Sequence, residues 1–112
     1  MEITIQSIDN ICIIGISGRI DSTTSKNVEK ALNNVIDQDQ AKVIVDLAGV
    51  DYISAMGLRV MLAALKKHRQ KQGELKLAAL QPFVKDVFEV TGFNKLFSIH
   101  VNREEAVKSL QL

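Results

Sequence analysis

The stretch from Ala41 to Lys67 constrains this chain more than any other. Ala41–Leu47 (AKVIVDL) is mostly apolar and centred on the consecutive β-branched residues Val43, Ile44 and Val45. That pattern suits a central strand covered on at least one face. From Ser54 the period changes. Leu58, Met61, Leu62 and Leu65 recur at helical spacing. A buried strand, a short turn and a helix therefore follow one another. Such a junction is a natural place for recognition, because the first helical turn presents unpaired N–H groups and the positive end of the dipole.

The flanking segments repeat the alternation. Ile3 and Ile5 alternate with Thr4 and Gln6, Asp9-Asn10 marks a turn, and Ile11–Ile16 reads as a second strand broken by Gly15 and Gly18. Arg19–Ser25 is a polar loop rich in helix-capping types. Val28, Leu32, Val35 and Ile36 then share one face of a helix ending near Asp37. Gly73 suits the C′ position of the helix begun at Ser54, and Glu74–Leu80 reads as a strand with Leu75, Leu77 and Ala79 inward. Pro82 opens a third helix with an apolar stripe of Phe83, Val84, Val87 and Phe88. Thr91-Gly92 ends it, and Phe93 and Leu96 are expected as core plugs. Phe97–Val101 and Arg103–Leu110 read as a last strand and a terminal helix. The expected fold is α/β, in the order ββαβαβαβα, with a small mixed sheet.

Composition excludes several classes of function. At 112 residues, with 46% apolar and 24% charged, the chain is expected to form one domain over residues 1–112. A net charge of +1 gives no bulk attraction to nucleic acid or to an anionic membrane. Without tryptophan there is little for bases to stack on. No apolar run reaches the roughly 18 residues of a membrane span. The opening MEITIQSI lacks the basic and apolar regions of a signal peptide, and Cys12, the one cysteine, lies inside an apolar run. A cytoplasmic protein with a buried, inert thiol is expected. His68 and His100 are isolated, with no ligand spacing for a metal. No nucleophile elbow or phosphate-cradling loop occurs, so neither an enzyme nor a cofactor is expected.

Four features together resemble the STAS domain of anti-sigma factor antagonists: the Gly18-Arg19-Ile20-Asp21 turn, the Val43–Leu47 strand, the Ser54–Leu58 turn, and the helix from Pro82 with its following Gly92-Phe93. The resemblance covers nearly the whole chain. It implies a small mixed sheet with the main helices on one face. In that family an aspartate and hydrophobic residues precede a serine-containing turn and a Gly-Leu pair. Here the segment is Asp51-Tyr52-Ile53-Ser54-Ala55-Met56-Gly57-Leu58. Counting back from Gly57, the family's phosphoacceptor serine falls on Ala55.

The resemblance implies an antagonist that, unphosphorylated, binds an anti-sigma factor of the histidine-kinase-like ATPase type. That kinase phosphorylates the serine to end the interaction, and a metal-dependent phosphatase restores it. Asp21, Ser54, Ala55, Met56, Gly57, Leu58 and Arg59 would form the docking surface. With alanine at 55 the shut-off step is lost, either in a naturally non-phosphorylatable member or through an introduced phospho-null change. A competing expectation is a non-switching STAS subunit of a transporter or stress-signalling assembly.

The residues allow plainer readings as well. Ser54 suits the N-cap of the central helix, against a role as substitute acceptor. Asp21 can fix its own loop through backbone N–H groups. Asp46 and Asp51 can stabilise the turn between them. Gly57, costly in a helix, implies either a closely approaching partner or tight packing on the adjacent strand. Met56 is either an exposed contact or tucked under the preceding loop. Lys66, Lys67, Arg69 and Lys71 complement a helix C-terminus, against docking to an acidic partner.

Overall fold

The computed structural model describes residues 1–111. Strand β1 (Glu2–Ile8) turns at Asp9 and Asn10 into β2 (Ile11–Ile20). Both turn residues have positive φ, 49° and 69°, as a tight hairpin with strand-matching twist requires. Helix α1 (Ser25–Asp37), β3 (Lys42–Ile53), α2 (Ala55–Gln70), β4 (Glu74–Ala78) and α3 (Pro82–Thr91) follow. A 3₁₀ turn at Phe93–Lys95, β5 (Ser98–His100) and α4 (Arg103–Leu110) complete the described chain. The sheet order is β1-β2-β3-β4-β5. Only the β1–β2 pair is antiparallel, so the sheet is mixed, in the expected element order.

Alternation along the strands builds two cores. Cys12, Ile14, Val43, Val45, Leu75 and Leu77 face one side, beneath α1, α2 and α3. Ile11, Ile13, Ile44 and Ala78 face the other, where Ala106 and Leu110 of α4 cover them. The main helices share one face, and the terminal helix lies on the opposite one. Val28, Leu32, Val35 and Ile36 are the buried stripe of α1, as their spacing indicates. Cys12 is buried, and burial raises its thiol pKa.

Several boundaries differ from the sequence-based expectation. β2 runs on to Ile20 instead of stopping at Ile16, absorbing its two glycines through register shifts between Gly15 and Ser17 and between Gly18 and Arg19. β3 runs to Ile53 instead of Leu47, because the extension of β2 supplies partners as far as Ile53. β4 ends at Ala78, and Ala79 leaves it with φ of 61°. Gln72, at φ 60°, takes the left-handed C′ position expected of Gly73. Gly73 follows it, donating its N–H to the His68 carbonyl at 2.8 Å. The His68 ring occupies the space a Cβ at Gly73 would need.

The plug expected at Leu96 is supplied by Phe97. Leu96 is exposed, whereas Phe97 is buried with its ring 5.6 Å from that of Phe88. Phe93 is half-buried, edge-on to Phe88 at 6.3 Å. Phe83 leaves the core stripe of α3 and Leu62 is only half-buried on α2.

Candidate functional site

The extended β2 and β3 end together. Ile20 pairs with Ile53, which sets the Asp21 loop beside the turn into α2. The Ser54 N–H donates to the Ile20 carbonyl at 2.8 Å and fixes that junction. Ser54 then turns the chain from extended to helical. Its φ and ψ are −89° and 172°, and its hydroxyl accepts from the Gly57 N–H at 3.2 Å. Ser54 is therefore the N-cap of α2, and its hydroxyl is engaged there.

Ala55 is the first residue of α2 and is exposed. No carboxylate lies in the first turn of α2, so the positive end of its dipole meets no acidic side chain of that turn. Met56 is 45% exposed, which places its thioether on the surface. Arg59 is also exposed and lies one turn beyond Ala55, a spacing that puts two side chains on the same strip of a helix.

Gly57 and Leu58 do not belong to that surface. Leu58 is 7% exposed and part of the core beneath α2. A Cβ at Gly57 would lie 2.6 Å from Ile20 Cγ2 and 2.8 Å from Ile53 Cγ1. Glycine is required because the helix start packs directly on the ends of β2 and β3. These two positions set the helix; the exposed side chains of Met56 and Arg59, with Ala55, present the surface.

Asp21 is absorbed in its own loop. One carboxylate oxygen accepts from the Thr23 and Thr24 N–H groups at 2.9 and 3.0 Å, with the Thr24 hydroxyl oxygen 3.2 Å away. The Thr24 hydroxyl in turn donates to the Arg19 carbonyl at 2.6 Å. The N–H groups of Thr24 and Thr23 hold the Asp21 carboxyl below its ordinary pKa. Asp46 is interior. It accepts from the Ala48 N–H at 2.9 Å and pairs with Arg103 of α4 at 2.8 Å, while Asp51 is exposed.

An aromatic ridge at this end has no counterpart in the sequence-based expectation. Along β3, the pairing with β4 spans Lys42–Asp46 and stops short of this end. Further along, the start of α3 meets the edge of β3, where Gln81 Nε2 donates to the Ala48 carbonyl at 2.7 Å. There Phe83 stacks on Tyr52, with ring centroids 5.8 Å apart, and the Arg19 guanidinium lies over Tyr52 at 4.1 Å. Phe83 is 50% exposed. Its position after Pro82, in the first turn of α3, was the available clue.

Other candidates take structural roles. Lys67 pairs with Asp37 at 2.8 Å, Lys71 donates to the Ile36 carbonyl at 3.0 Å, and Arg69 donates to the Leu96 carbonyl at 2.9 Å. Most of the basic cluster thus ties α2 to its neighbours, with Lys66 exposed. His68 is buried and hydrogen-bonded to the Gln40 carbonyl. No grouping of metal-binding side chains occurs among the described residues. A cavity of about 500 Å³ between α3 and β5, floored by Phe88, Phe97 and Ile99, lies apart from the residues of the α2 turn.

The STAS domain family model matches residues 2–106. BtrV of Bordetella bronchiseptica, named as a candidate anti-sigma factor antagonist, is 38% identical over 111 residues, covering 99% of this chain and 96% of that protein. The crystal structure of an anti-sigma factor antagonist from Mycobacterium paratuberculosis superposes with a TM-score of 0.92 at 22% identity, covering 99% of this chain and 94% of that one. SpoIIAA of Bacillus, solved in its phosphorylated form, superposes with a TM-score of 0.77 at 15% identity, covering 98% of this chain and 100% of that one. On sequence and on fold, this chain is a member of the STAS domain family.

Proposed function

We propose that the chain is a cytoplasmic, single-domain anti-sigma factor antagonist that acts by binding and catalyses nothing itself. Its docking surface is the start of α2, with Ala55, Met56 and Arg59 as contacts and the Asp21 loop alongside. The partner is an anti-sigma factor of the histidine-kinase-like ATPase type. The name of BtrV, a relative along nearly the whole chain, supports the antagonist role.

The observation that carries the site is the exposure of Ala55 at the first position of a capped helix. A phosphate added there would meet free N–H groups and leave the fold intact. It would also add about −1.5 to −2 charges to the contact surface. An apolar or acidic groove in the partner would then reject it. Alanine offers no hydroxyl, so the chain stays in its binding-competent form. The Ser54 hydroxyl is committed to capping and sits one residue out of register for a kinase that aligns a single acceptor. A serine-bearing form would be restored by a metal-dependent phosphatase.

Calorimetry with the cognate kinase-type ATPase tests the surface. Ala55→Asp should weaken binding about tenfold, the effect of one unfavourable charge in a contact. Unchanged affinity would remove this surface from the interface. The alanine also favours a second reading, a non-switching subunit of a transporter or stress-signalling assembly. Stable, nucleotide-independent retention in such an assembly would support that alternative.

A further inference from the structure

The outer edge of β1 is unusually open to pairing. β1 is seven residues long and pairs with β2 in unbroken register. Its other side has no strand beside it among the described residues. Protein edges are ordinarily guarded by lysine, proline, a bulge or short length. Glu2–Ile8 has none of these, and its one charged residue is Glu2. Ile5 is 55% exposed.

We infer that this edge pairs with the same edge of a second copy, making a two-fold symmetric dimer whose sheets join. Side chains opposite one another across such a pairing must lie on the same face. Facing residues are therefore an even number of positions apart, and the two-fold axis falls on a residue. An axis at Ile5 sets Glu2 against Ile8 and Ile3 against Ser7. An axis at Gln6 sets Thr4 against Ile8 and Ile5 against Ser7. An axis at Thr4 matches side chains class for class from Glu2 to Gln6, with Met1 and Ser7 flanking the paired segment: Ile3 faces Ile5, Thr4 faces Thr4, and Glu2 faces Gln6. The two isoleucines are on the same face as α1 and α2, since they pair with Ile16 and Ile14 of that core. Apolar pairs on one face and a carboxylate–amide pair on the other are the cross-strand combinations that stabilise a sheet. The occupant is thus selected by complementarity of the strand with itself.

The pairing runs antiparallel, so the two copies point in opposite directions. Met1 packs against Gly18, close to the end of β2 that carries the Asp21 loop. The two α2 turns then lie at opposite ends of the joined sheet, and dimerisation leaves each free. The contact is small, so the dimer should be weak.

Sedimentation equilibrium from about 10 µM to about 1 mM tests this, the range in which small interfaces associate. The mean mass should rise from 12.4 kDa toward twice that value. Ile5→Lys should hold it at 12.4 kDa, with an unchanged circular-dichroism melt because Ile5 is largely exposed. Gln6→Glu places a carboxylate opposite Glu2 twice per dimer and should raise the dissociation constant roughly fivefold. Adding Glu2→Lys to Gln6→Glu should restore association. A mass of 12.4 kDa at every concentration, or association indifferent to these changes, would overturn the inference. Failure of the charge swap to rescue would overturn the register.

Discussion

Gly57→Ala separates two explanations of one residue by sign. Glycine inside a helix costs about 0.5–1 kcal/mol relative to alanine, so on backbone grounds alone the substitution stabilises by that amount. The packing opposes it. The new Cβ would sit 2.6 Å from Ile20 Cγ2 and 2.8 Å from Ile53 Cγ1, closer than carbon atoms approach. Ile20 and Ile53 are buried, at 0% and 3% exposure, and β-branching makes both stiff at χ1. The Ile20 carbonyl is also held by the Ser54 N–H at 2.8 Å, so the strand end cannot retreat without breaking the junction. Overpacking of this kind costs about 1–3 kcal/mol. Subtracting the propensity gain leaves a net loss of about 0–2.5 kcal/mol, centred near 1, or a fall in Tm of about 4–8 °C for a domain near this size. Urea unfolding at constant m reads it directly. Stabilisation by about 0.5–1 kcal/mol would refute the packing argument and return Gly57 to the role of admitting a partner's backbone.

Met56→Ala should leave stability within about 0.5 kcal/mol, since Met56 is exposed, while weakening capture of the kinase-type partner proposed above. Leu58→Ala, two residues on, should instead lower unfolding free energy by about 2–5 kcal/mol, because that side chain is core; paired denaturation and binding titrations check both. Asp21 has its pKa depressed from 3.8 by the Thr24 and Thr23 N–H groups. Its contribution is therefore fully present above 3.8 and lost as pH falls from there through the lower folded value, so Asp21→Asn should flatten the acid limb of a stability–pH curve below 3.8 and leave its neutral shape unchanged. Asp46→Ala removes the partner of both Arg103 and the Ala48 N–H and should cost roughly 1–3 kcal/mol in thermal or urea unfolding.

The sequence carried the element order because its signals are local. Val43–Val45, the α1 stripe and the Pro82 and Gly92 boundaries each announce themselves within a few residues. The second half of β3 did not, because Ala48, Gly49 and Asp51 interrupt the apolar pattern. Its strand character comes from pairing with an equally extended β2, which is a long-range effect. The same limit governed the site. Ser54 as N-cap and Asp21 as loop-fixer follow from short-range chemistry and match the geometry. Gly57 and Leu58 read as surface residues but are buried, because the strand end carrying Ile20, distant in sequence, packs against the helix start. Phe83 likewise read as core, since the Tyr52 ring that draws it outward belongs to another element.

The most direct test puts the chain and its Ala55→Ser variant side by side on the purified kinase-type anti-sigma factor, with ATP and Mg²⁺, following complex mass and phosphate incorporation together. Both should bind at the outset. Only Ala55→Ser should then take up phosphate and leave, while the alanine chain stays bound and unmodified. If the alanine chain is phosphorylated and released, another hydroxyl serves as the acceptor and the locked state does not exist. If neither chain binds, the α2 turn is not a docking surface for such a partner.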